Sequence, residues 1–213
     1  YGDEPRGTIP VVLREYFADS LPVAEYDTAR ALALLREAGW QRGPGGLLRD
    51  HSNASFRFTL LLDKGNPSRE QAALAVQQDL RRIGMEVDLR TLEFAALVRD
   101  YIQPGNFEAY LIWWNTPLDP DQYSYYATGQ PNNNAGYSNR AADSLLLLGR
   151  HTTDPIERRR IYREFQAVEA EDPPVLVLYY PREIQMVNTA LRGMSRLGLR
   201  DALRHSERFY FEP

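Results

Sequence analysis

The chain of 213 residues contains no cysteine, and this absence excludes disulfide bridges, thiolate nucleophiles and thiolate metal ligands. Lysine is almost as rare, because Lys64 is the only one and is thus the single candidate for Schiff-base chemistry. No apolar run reaches the roughly 18 residues that span a bilayer. A formal net charge of −4 gives no basic excess of the kind that binds nucleic acid, so we expect no nucleic-acid partner.

Residues that usually hold metals or phosphates are also sparse. His51, His151 and His205 are far apart, and none has a second histidine or a carboxylate at ligand spacing. The glycine-rich run Gly43–Gly46 follows no predicted strand and precedes no Lys-Ser/Thr pair, so it predicts a turn rather than a phosphate cradle. We therefore expect no metal site and no cofactor.

Two charged clusters could suggest chemistry. Asp119 and Asp121 stand two residues apart and could form an acid/base pair, as in glycoside hydrolysis. Asp-Pro-Asp in a loop more often serves turn and capping interactions, which is the interpretation that we favour. The run Arg158–Arg160 resembles a phosphate patch, but consecutive helical positions point in three directions. Because Glu157 and Glu164 lie close enough to pair with it, we predict a solvated face.

The first half of the chain alternates strand and helix patterns after an extended lead-in that needs a neighbour to pack against. Strand patterns cover Phe56–Leu62, Val87–Leu89 and Phe107–Trp113, and helix patterns cover Asp27–Gly39, Asn66–Ile83 and Phe94–Ile102. This alternation is typical of a mainly parallel sheet with helical crossovers. The Phe107 strand is apolar on both faces, which predicts an interior position in the sheet.

The second half predicts two helices and then short strands. One helix begins near Asn139, and another begins at Asp154 and ends before Pro173. The continuous apolar run Val175–Tyr179 predicts a strand. Since no linker or repeat divides the chain, and its length suits one sizeable core, we expect residues 1–213 to form a single lobe.

A loop rich in tyrosine, asparagine and proline follows the Phe107 strand and extends to Tyr137. In parallel sheets, ligands bind beyond the carboxyl ends of the strands, which is where Trp113 to Asp121 would lie. Aromatic faces beside amide groups suit an organic ligand with apolar and hydrogen-bonding parts. The alternative, that both tryptophans fill the core and the loop is merely solvated, stays open at this level.

Several weak motifs occur together in a familiar order. They are YDTARALALLREAGW, GPGG, QQDLRRIGMEVDLR, FEAYLIWW with DPDQY, NNNAGYSN and DPIERRRIYREFQAVEAEDPPVLVLYY. In order and spacing they resemble the carboxyl-terminal lobe of the dipeptide- and oligopeptide-binding proteins (solute-binding family 5) that serve bacterial ABC importers. The resemblance covers nearly the whole chain from about Tyr26 to Tyr180.

The resemblance implies an α/β lobe of type II periplasmic binding protein fold, with an extended lead-in and short C-terminal strands. The amino-terminal lobe of such a protein would be absent from this chain. Family members bind a peptide between two lobes and deliver it to a membrane permease without catalysing a reaction. A periplasmic or extracellular location follows, with a possible lipid anchor in the full-length protein.

The resemblance also implies a set of site residues. In relatives, a tryptophan matching Trp113 is followed three residues later by an aspartate that pairs with the α-amino group of the ligand, but that position is Thr116 here. Ile112 replaces a glycine that usually precedes the tryptophan, whereas Asp119-Pro120 matches the family pattern. The candidate ligand-binding residues are Tyr110, Ile112, Trp113, Trp114, Asn115, Thr116, Asp119, Tyr123 and Tyr126.

These departures leave the ligand open. Relatives in the same family import oligosaccharides, opines and nickel chelates, so these solutes are alternatives to a peptide. A sugar would stack on Trp113, Trp114, Tyr123 or Tyr126 and form hydrogen bonds with Asn and Asp side chains. A hydrolase that uses Asp119 and Asp121 is the remaining alternative, although we expect a binding protein rather than an enzyme.

Overall fold

The strand and helix patterns of residues 24–115 fold into one unit, and the remainder of the chain folds into a second. The computed structural model describes residues 2–23, 25–115, 118–182, 186–193 and 208–211. We call Ala24–Asn115 the sheet unit, and we call Tyr1–Val23 together with Thr116–Pro213 the helix unit. The organisation of residues 1–213 as a single lobe stays a prediction.

The strands are β1 (Gly2–Asp3), β2 (Gln41–Arg42), β3 (Leu48–Arg49), β4 (Arg57–Asp63), β5 (Glu86–Leu92), β6 (Ala109–Leu111), β7 (Tyr180–Pro181), β8 (Leu191–Arg192) and β9 (Tyr210–Phe211). The helices are α1 (Thr28–Glu37), α2 (Pro67–Arg82), α3 (Phe94–Ala96), α4 (Tyr123–Tyr126), α5 (Arg140–His151) and α6 (Pro155–Glu171). A 3₁₀ turn spans Pro44–Gly46, and a π-helical segment, Leu97–Ile102, directly continues α3. None of the helices in the described ranges has the length and apolar composition needed to cross a membrane.

A three-stranded parallel sheet in the order β5-β4-β6 forms the centre of the sheet unit. On one face of β4, Leu60 and Leu62 pack with Ala73 of α2. On the other face, Leu61 packs with Leu97 and Ile102 of the π-helical segment. The predicted α/β fold, a parallel sheet flanked by helices, is therefore confirmed.

The prediction of an interior position for the Phe107 strand is wrong. The ladder of β6 covers only Ala109–Leu111, and within the described residues β6 pairs only with β4. The interior strand is therefore β4. β6 is apolar on both faces because helices cover both faces: Ala109 packs toward α2, while Tyr110 packs toward Leu97.

Local signals set the ends of the first two long helices. The carboxylate of Asp27 accepts the amide of Arg30 at 2.8 Å, and Asn66 caps α2 in the same way through Arg69 at 3.1 Å. Gly39 and Gly84 follow the two helices with φ of 92° and 95°. These are the caps and stops that the sequence predicts.

Gly84 also makes a close backbone contact. A Cβ atom there would lie 2.6 Å from the carbonyl oxygen of Gly46, and the carbonyl of Gly84 accepts the amide of Leu48 at 2.7 Å. The hairpin of β2 and β3 therefore packs directly on the turn between α2 and β5. Only glycine fits this position.

In the helix unit, α5 and α6 pack around the buried side chains of Leu146, Tyr162 and Phe165. Gly149 of α5 permits the close approach, since a Cβ atom there would lie 2.9 Å from Cζ of Tyr162. Both helices begin where the sequence predicts, with Asn139 and Asp154 as side-chain caps.

The lead-in folds against α6 of its own unit and is neither helix nor strand between residues 4 and 23. Two buried polar residues of α6 hold it. Glu169 accepts the amide of Thr8 at 2.8 Å and its hydroxyl at 3.1 Å, and Gln166 accepts the amide of Ala18 at 3.0 Å. The amide group of Gln166 also donates to the carbonyl of Tyr16 at 2.7 Å. The predicted neighbour of the lead-in is thus α6.

The prediction of a strand at Val175–Tyr179 is wrong. Val175 packs on the core and Leu176 is 81% exposed, so an alternation is present, but no described strand pairs with this segment. Only the next residues, Tyr180–Pro181, form a strand, which pairs antiparallel with Gly2–Asp3. A strand requires a hydrogen-bonding neighbour, which an apolar run cannot supply.

Candidate ligand-binding site

The three parallel strands of the sheet unit end at the same edge of the sheet. β4, β5 and β6 end at Asp63, Leu92 and Leu111, and the segments that follow them are 64–66, 93–94 and 112–115. Because ligands of α/β proteins bind at this edge, the side chains of these segments are the candidates for contact.

Exposed aromatic rings lie on two of these segments. Trp113 and Trp114 follow β6 and are 54% and 41% exposed, and Phe94 follows β5 and is 57% exposed. Large aromatic side chains are normally withdrawn from water, so their exposure at this edge favours a ligand surface over core packing. For the two tryptophans, the interpretation as core residues is therefore not supported.

Phe94 is a further candidate that is not among the residues predicted from the sequence. Its helical spacing with Leu97 assigned it to the apolar face of a helix, but it stands at the first position of α3 and points to solvent. The signal was available, because Phe94 is the second residue beyond a strand end, where Trp113 also stands.

Three other predicted site residues, Tyr110, Ile112 and Asn115, flank the two tryptophans in the sequence. Tyr110 and Ile112 pack against the cluster around Leu97, and burial raises the pKa of Tyr110. The ring of Tyr110 contacts that of Phe107 edge-on at 4.7 Å. Asn115 is exposed and accepts a hydrogen bond from the indole of Trp113 at 3.3 Å.

In the helix unit, Asp119 is held by an arginine of α6. Arg158 donates two hydrogen bonds to its carboxylate, at 2.9 and 2.7 Å. These bonds hold the pKa of Asp119 below its usual value, outweighing its partial burial. The guanidinium lies over the rings of Tyr16 and Tyr162, at 5.7 and 5.2 Å from their centroids. Such bidentate, ring-stacked geometry is specific to arginine.

A second arginine contacts Asp121 and Tyr123. Arg150 of α5 pairs with Asp121 at 3.1 Å and lies 4.9 Å from the centroid of the Tyr123 ring. Asp121 accepts the amide of Tyr123 at 3.0 Å, and Asp119 accepts the amide of Asp121 at 2.9 Å. The turn and capping interpretation of the Asp-Pro-Asp motif is therefore confirmed.

Tyr126 is 7% exposed and packs in the core of the helix unit, which suits a packing role. Thr116 lies outside the described residues.

The prediction for the arginine run is only partly right. Arg160 pairs with Glu157 and Glu164 on the solvated side, as expected. Arg158, however, is directed inward and its side chain is only 17% exposed. A helix carries consecutive residues to different sides, and a sequence run cannot show which of them faces the core. Among the described residues, no group of three histidines and carboxylates could hold a metal ion.

Comparison with known proteins identifies the family. The profile of "Bacterial extracellular solute-binding proteins, family 5 Middle" matches residues 1–136. The chain belongs to this family. Oligopeptide-binding protein AppA of Bacillus subtilis (strain 168) is 33% identical over 177 residues, which cover 81% of this chain and 33% of AppA. The chain therefore spans about a third of the length of this curated relative.

Solved structures agree with this assignment. AppA from Bacillus subtilis in complex with a nonapeptide superposes with a TM-score of 0.81 at 29% identity, covering all of this chain and 43% of AppA. The oligopeptide-binding protein of Thermus thermophilus with a pentapeptide has a TM-score of 0.78 at 24% identity, covering 84% and 33% of the two chains. At that identity the second likeness shows the fold alone. The fold is that of the type II periplasmic binding proteins.

Proposed function

We propose that residues 1–213 are one lobe of the substrate-binding component of a bacterial ABC importer, which captures a peptide and delivers it to a membrane permease. In this proposal the remaining length of the parent protein supplies the other lobe, and the two close around the ligand by a hinge motion. The protein acts outside the cytoplasmic membrane, either periplasmic or anchored to the cell by a lipid. It binds its ligand without catalysing a reaction.

The observation that carries the proposal is the exposure of aromatic rings on the segments that follow β5 and β6, at the carboxyl edge of the sheet. Trp113, Trp114 and Phe94 offer apolar faces where this fold class binds ligands. A peptide combines apolar side chains with main-chain amides, and such a surface accommodates both without demanding one sequence. The similarity to AppA, whose structure was solved with a nonapeptide, supports a peptide among the solutes of the family.

A titration of the full-length parent protein with a pool of peptides tests the proposal. We expect saturable binding, and we expect Trp113→Ala and Trp114→Ala each to weaken it by about tenfold, because a stacked aromatic contact contributes on the order of 1 to 2 kcal/mol. The matched control is Trp40→Ala in the same unit, since Trp40 packs on Phe56 at 4.4 Å and follows no strand end.

Three results would count against the proposal. They are no binding of any peptide, binding that both site substitutions leave unchanged, or equal losses in all three variants. The isolated chain is expected to bind peptides only weakly, because it provides one wall of the pocket.

A further inference from the structure

A cleft of the sheet unit lies away from the carboxyl edge of the sheet. It has a volume of about 280 Å³, and its walls include Thr59, Leu61, Arg90, Tyr101, Phe107 and Glu108. Thr59 stands in the first half of β4 and Glu108 precedes β6, so the cleft opens beside the amino-terminal halves of these strands. Pockets for drug-sized ligands begin at about 300 Å³, so this cleft suits a small molecule.

Two opposite charges line this cleft without forming an ion pair. Arg90 belongs to β5, and Glu108 directly precedes β6. The ion pairs among the described residues of the sheet unit are Arg57–Asp88, Lys64–Glu93, Arg69–Asp63, Arg82–Asp79 and Arg99–Asp100. Because β4 lies between β5 and β6, and neighbouring strands are about 4.8 Å apart, the outer two strands are separated by about 9 to 10 Å. Arg90 and Glu108 therefore face the same cleft as an open pair of charges.

A neighbouring pair of charges on the same face of the sheet is closed. Arg57 of β4 and Asp88 of β5 stand on adjacent strands, and Nε of the arginine lies 2.7 Å from Oδ2 of the aspartate. The register places Asp88 beside Thr59 and Arg90 beside Leu61, so Asp88 and Arg90 share this face. Opposite charges thus pair where their strands adjoin, and the charges of the cleft stay apart because a strand lies between them.

Both charges of the cleft are held in position by other contacts. The guanidinium of Arg90 lies 4.9 Å from the centroid of the Tyr101 ring. One carboxylate oxygen of Glu108 accepts the amide of Thr59 at 2.8 Å, and the other accepts no hydrogen bond from the described residues. Tyr101 belongs to the π-helical segment, a rare element that occurs frequently at functional sites. Charges that are positioned in advance lose little entropy when a ligand binds.

The two charges select the class of ligand. An anion on Arg90 would be repelled by Glu108, and a cation on Glu108 would be repelled by Arg90. A molecule that carries both a carboxylate and an ammonium group can satisfy both side chains through charge-assisted bonds of about 2.8 Å. The packed side chains of Leu61, Tyr101 and Phe107 add apolar surface to the same cleft.

We propose that this cleft binds a free α-amino acid with an apolar side chain, with the carboxylate on Arg90 and the ammonium group on Glu108. The site is separate from the aromatic surface at the carboxyl edge, and it does not depend on the peptide-binding function proposed above.

Equilibrium dialysis of the full-length parent protein with radiolabelled L-leucine tests the proposal. A saturating pool of peptides is present, so that the surface proposed for peptides is occupied. Two unlabelled derivatives compete with the label, since N-acetyl-L-leucine lacks the ammonium charge and L-leucinamide lacks the carboxylate charge. We expect saturable retention of L-leucine and about tenfold weaker binding of either derivative, because each loses one charge-assisted bond.

Substitutions at the two charges assign the site. Arg90→Met should weaken L-leucine binding about tenfold and abolish the preference for L-leucine over L-leucinamide. Glu108→Gln should weaken it similarly and abolish the preference over N-acetyl-L-leucine, while its amide oxygen still accepts from Thr59. Each preference compares two ligands on one variant, so differences in the folded fraction cancel. Arg99→Met and Glu70→Gln are the matched controls, because both side chains are exposed outside the cleft, and they should leave retention unchanged.

The absence of saturable L-leucine retention would overturn the inference. Retention that both cleft substitutions leave unchanged would do the same, because the amino acid would then lie elsewhere. A derivative that binds the parent as tightly as L-leucine would also contradict it, since one of the two charges would then be unused. Neither cleft substitution should alter peptide affinity, and a parallel loss of peptide and L-leucine binding would refute a separate site. Failure of the peptides alone to bind would contradict the proposed function and leave this inference standing.

Discussion

The sheet unit and the helix unit are stabilised in different ways. In the sheet unit, apolar side chains of β4 pack on helices at both faces, and Leu60, Leu61 and Leu62 are all buried. In the helix unit, a long segment without regular structure is fixed by the buried polar side chains Gln166 and Glu169. Apolar packing tolerates small shifts, whereas buried polar groups require their particular partners. We therefore expect the helix unit to be the more sensitive to pH and to changes in polar residues.

The largest effect is expected at a backbone contact in the sheet unit. Gly84→Ala should destabilise the protein by about 3 kcal/mol or more, because a Cβ atom would lie 2.6 Å from the carbonyl oxygen of Gly46, at a φ of 95°. Gly39→Ala is the matched control, since Gly39 has a φ of 92° and no atom within 4 Å of the added Cβ, so it should cost about 1 kcal/mol. Urea denaturation measures both. Equal losses of unfolding free energy in the two variants would show that the positive φ angle alone, and not the contact with Gly46, determines the destabilisation.

The next effect is a pH dependence in the helix unit. Burial raises the pKa of Glu169 to about 7 from 4.5, although the hydrogen bonds from Thr8 lower it. The folded protein then binds the proton more tightly than the unfolded chain does, so the free energy of unfolding falls as the pH rises from about 4.5 to about 7. The loss should approach about 3 kcal/mol, because each tenfold difference in proton affinity between the two states corresponds to about 1.36 kcal/mol.

Glu169→Gln should remove this pH dependence while keeping both contacts with Thr8, since the amide oxygen still accepts and its nitrogen can donate to the hydroxyl. Urea denaturation at about pH 5 and about pH 8 measures the difference. Glu171→Gln is the control, because Glu171 is exposed on the same helix. If wild type and Glu169→Gln showed parallel pH profiles, the buried carboxyl would not carry the effect.

Substitution of one glutamine in each unit compares how much the polar contacts of the two units contribute to stability. Gln166→Leu should cost about 2 to 3 kcal/mol, because it leaves the buried amide of Ala18 and the carbonyl of Tyr16 without partners. Gln77→Leu in the sheet unit removes only one bond, to the carbonyl of Val87 at 2.7 Å, and should cost about 1 kcal/mol. Thermal and urea unfolding of the two variants test the comparison, and a larger loss for Gln77→Leu would reverse it.

The smallest expected effect on stability concerns Phe94, which is exposed. Phe94→Ala should change the free energy of unfolding by less than about 0.5 kcal/mol but weaken peptide binding to the full-length protein by about 1 kcal/mol. Exposed Leu74→Ala on α2, away from the strand ends, is the control and should leave affinity unchanged. An unaltered affinity in Phe94→Ala would remove this residue from the ligand surface.

The two units also differ in how far the sequence predicts them. In the sheet unit, the caps Asp27 and Asn66 and the stop at Gly84 act within a few residues, and the apolar periodicity of β4 follows from helices on both faces. Local sequence carries such information. Local sequence does not specify the order of the strands in the sheet. For this reason the apolar pattern of β6 predicts an interior position, whereas the strand lies beside β4 alone within the described residues.

In the helix unit, the contact between Thr8 and Glu169 joins residues 161 positions apart, and that between Arg158 and Asp119 joins residues 39 apart. No local pattern marks these pairs, because their partners meet only after the helices have packed. The strand predicted at Val175–Tyr179 fails for a related reason, since pairing depends on a neighbour that the segment itself does not specify. The position of Trp113 and Trp114 beyond a strand end can be predicted, because it follows from local periodicity, and their role in ligand binding stays a prediction.

We propose that this chain is part of a peptide-capturing protein. Native mass spectrometry of the full-length parent, purified gently from its own host, tests this claim. We predict a ladder of added masses separated by amino-acid increments, as expected for a mixture of captured peptides. A single discrete added mass that matches a sugar or a metal chelate would contradict the claim, and Trp113 and Trp114 would then be the first residues to examine as its binding surface.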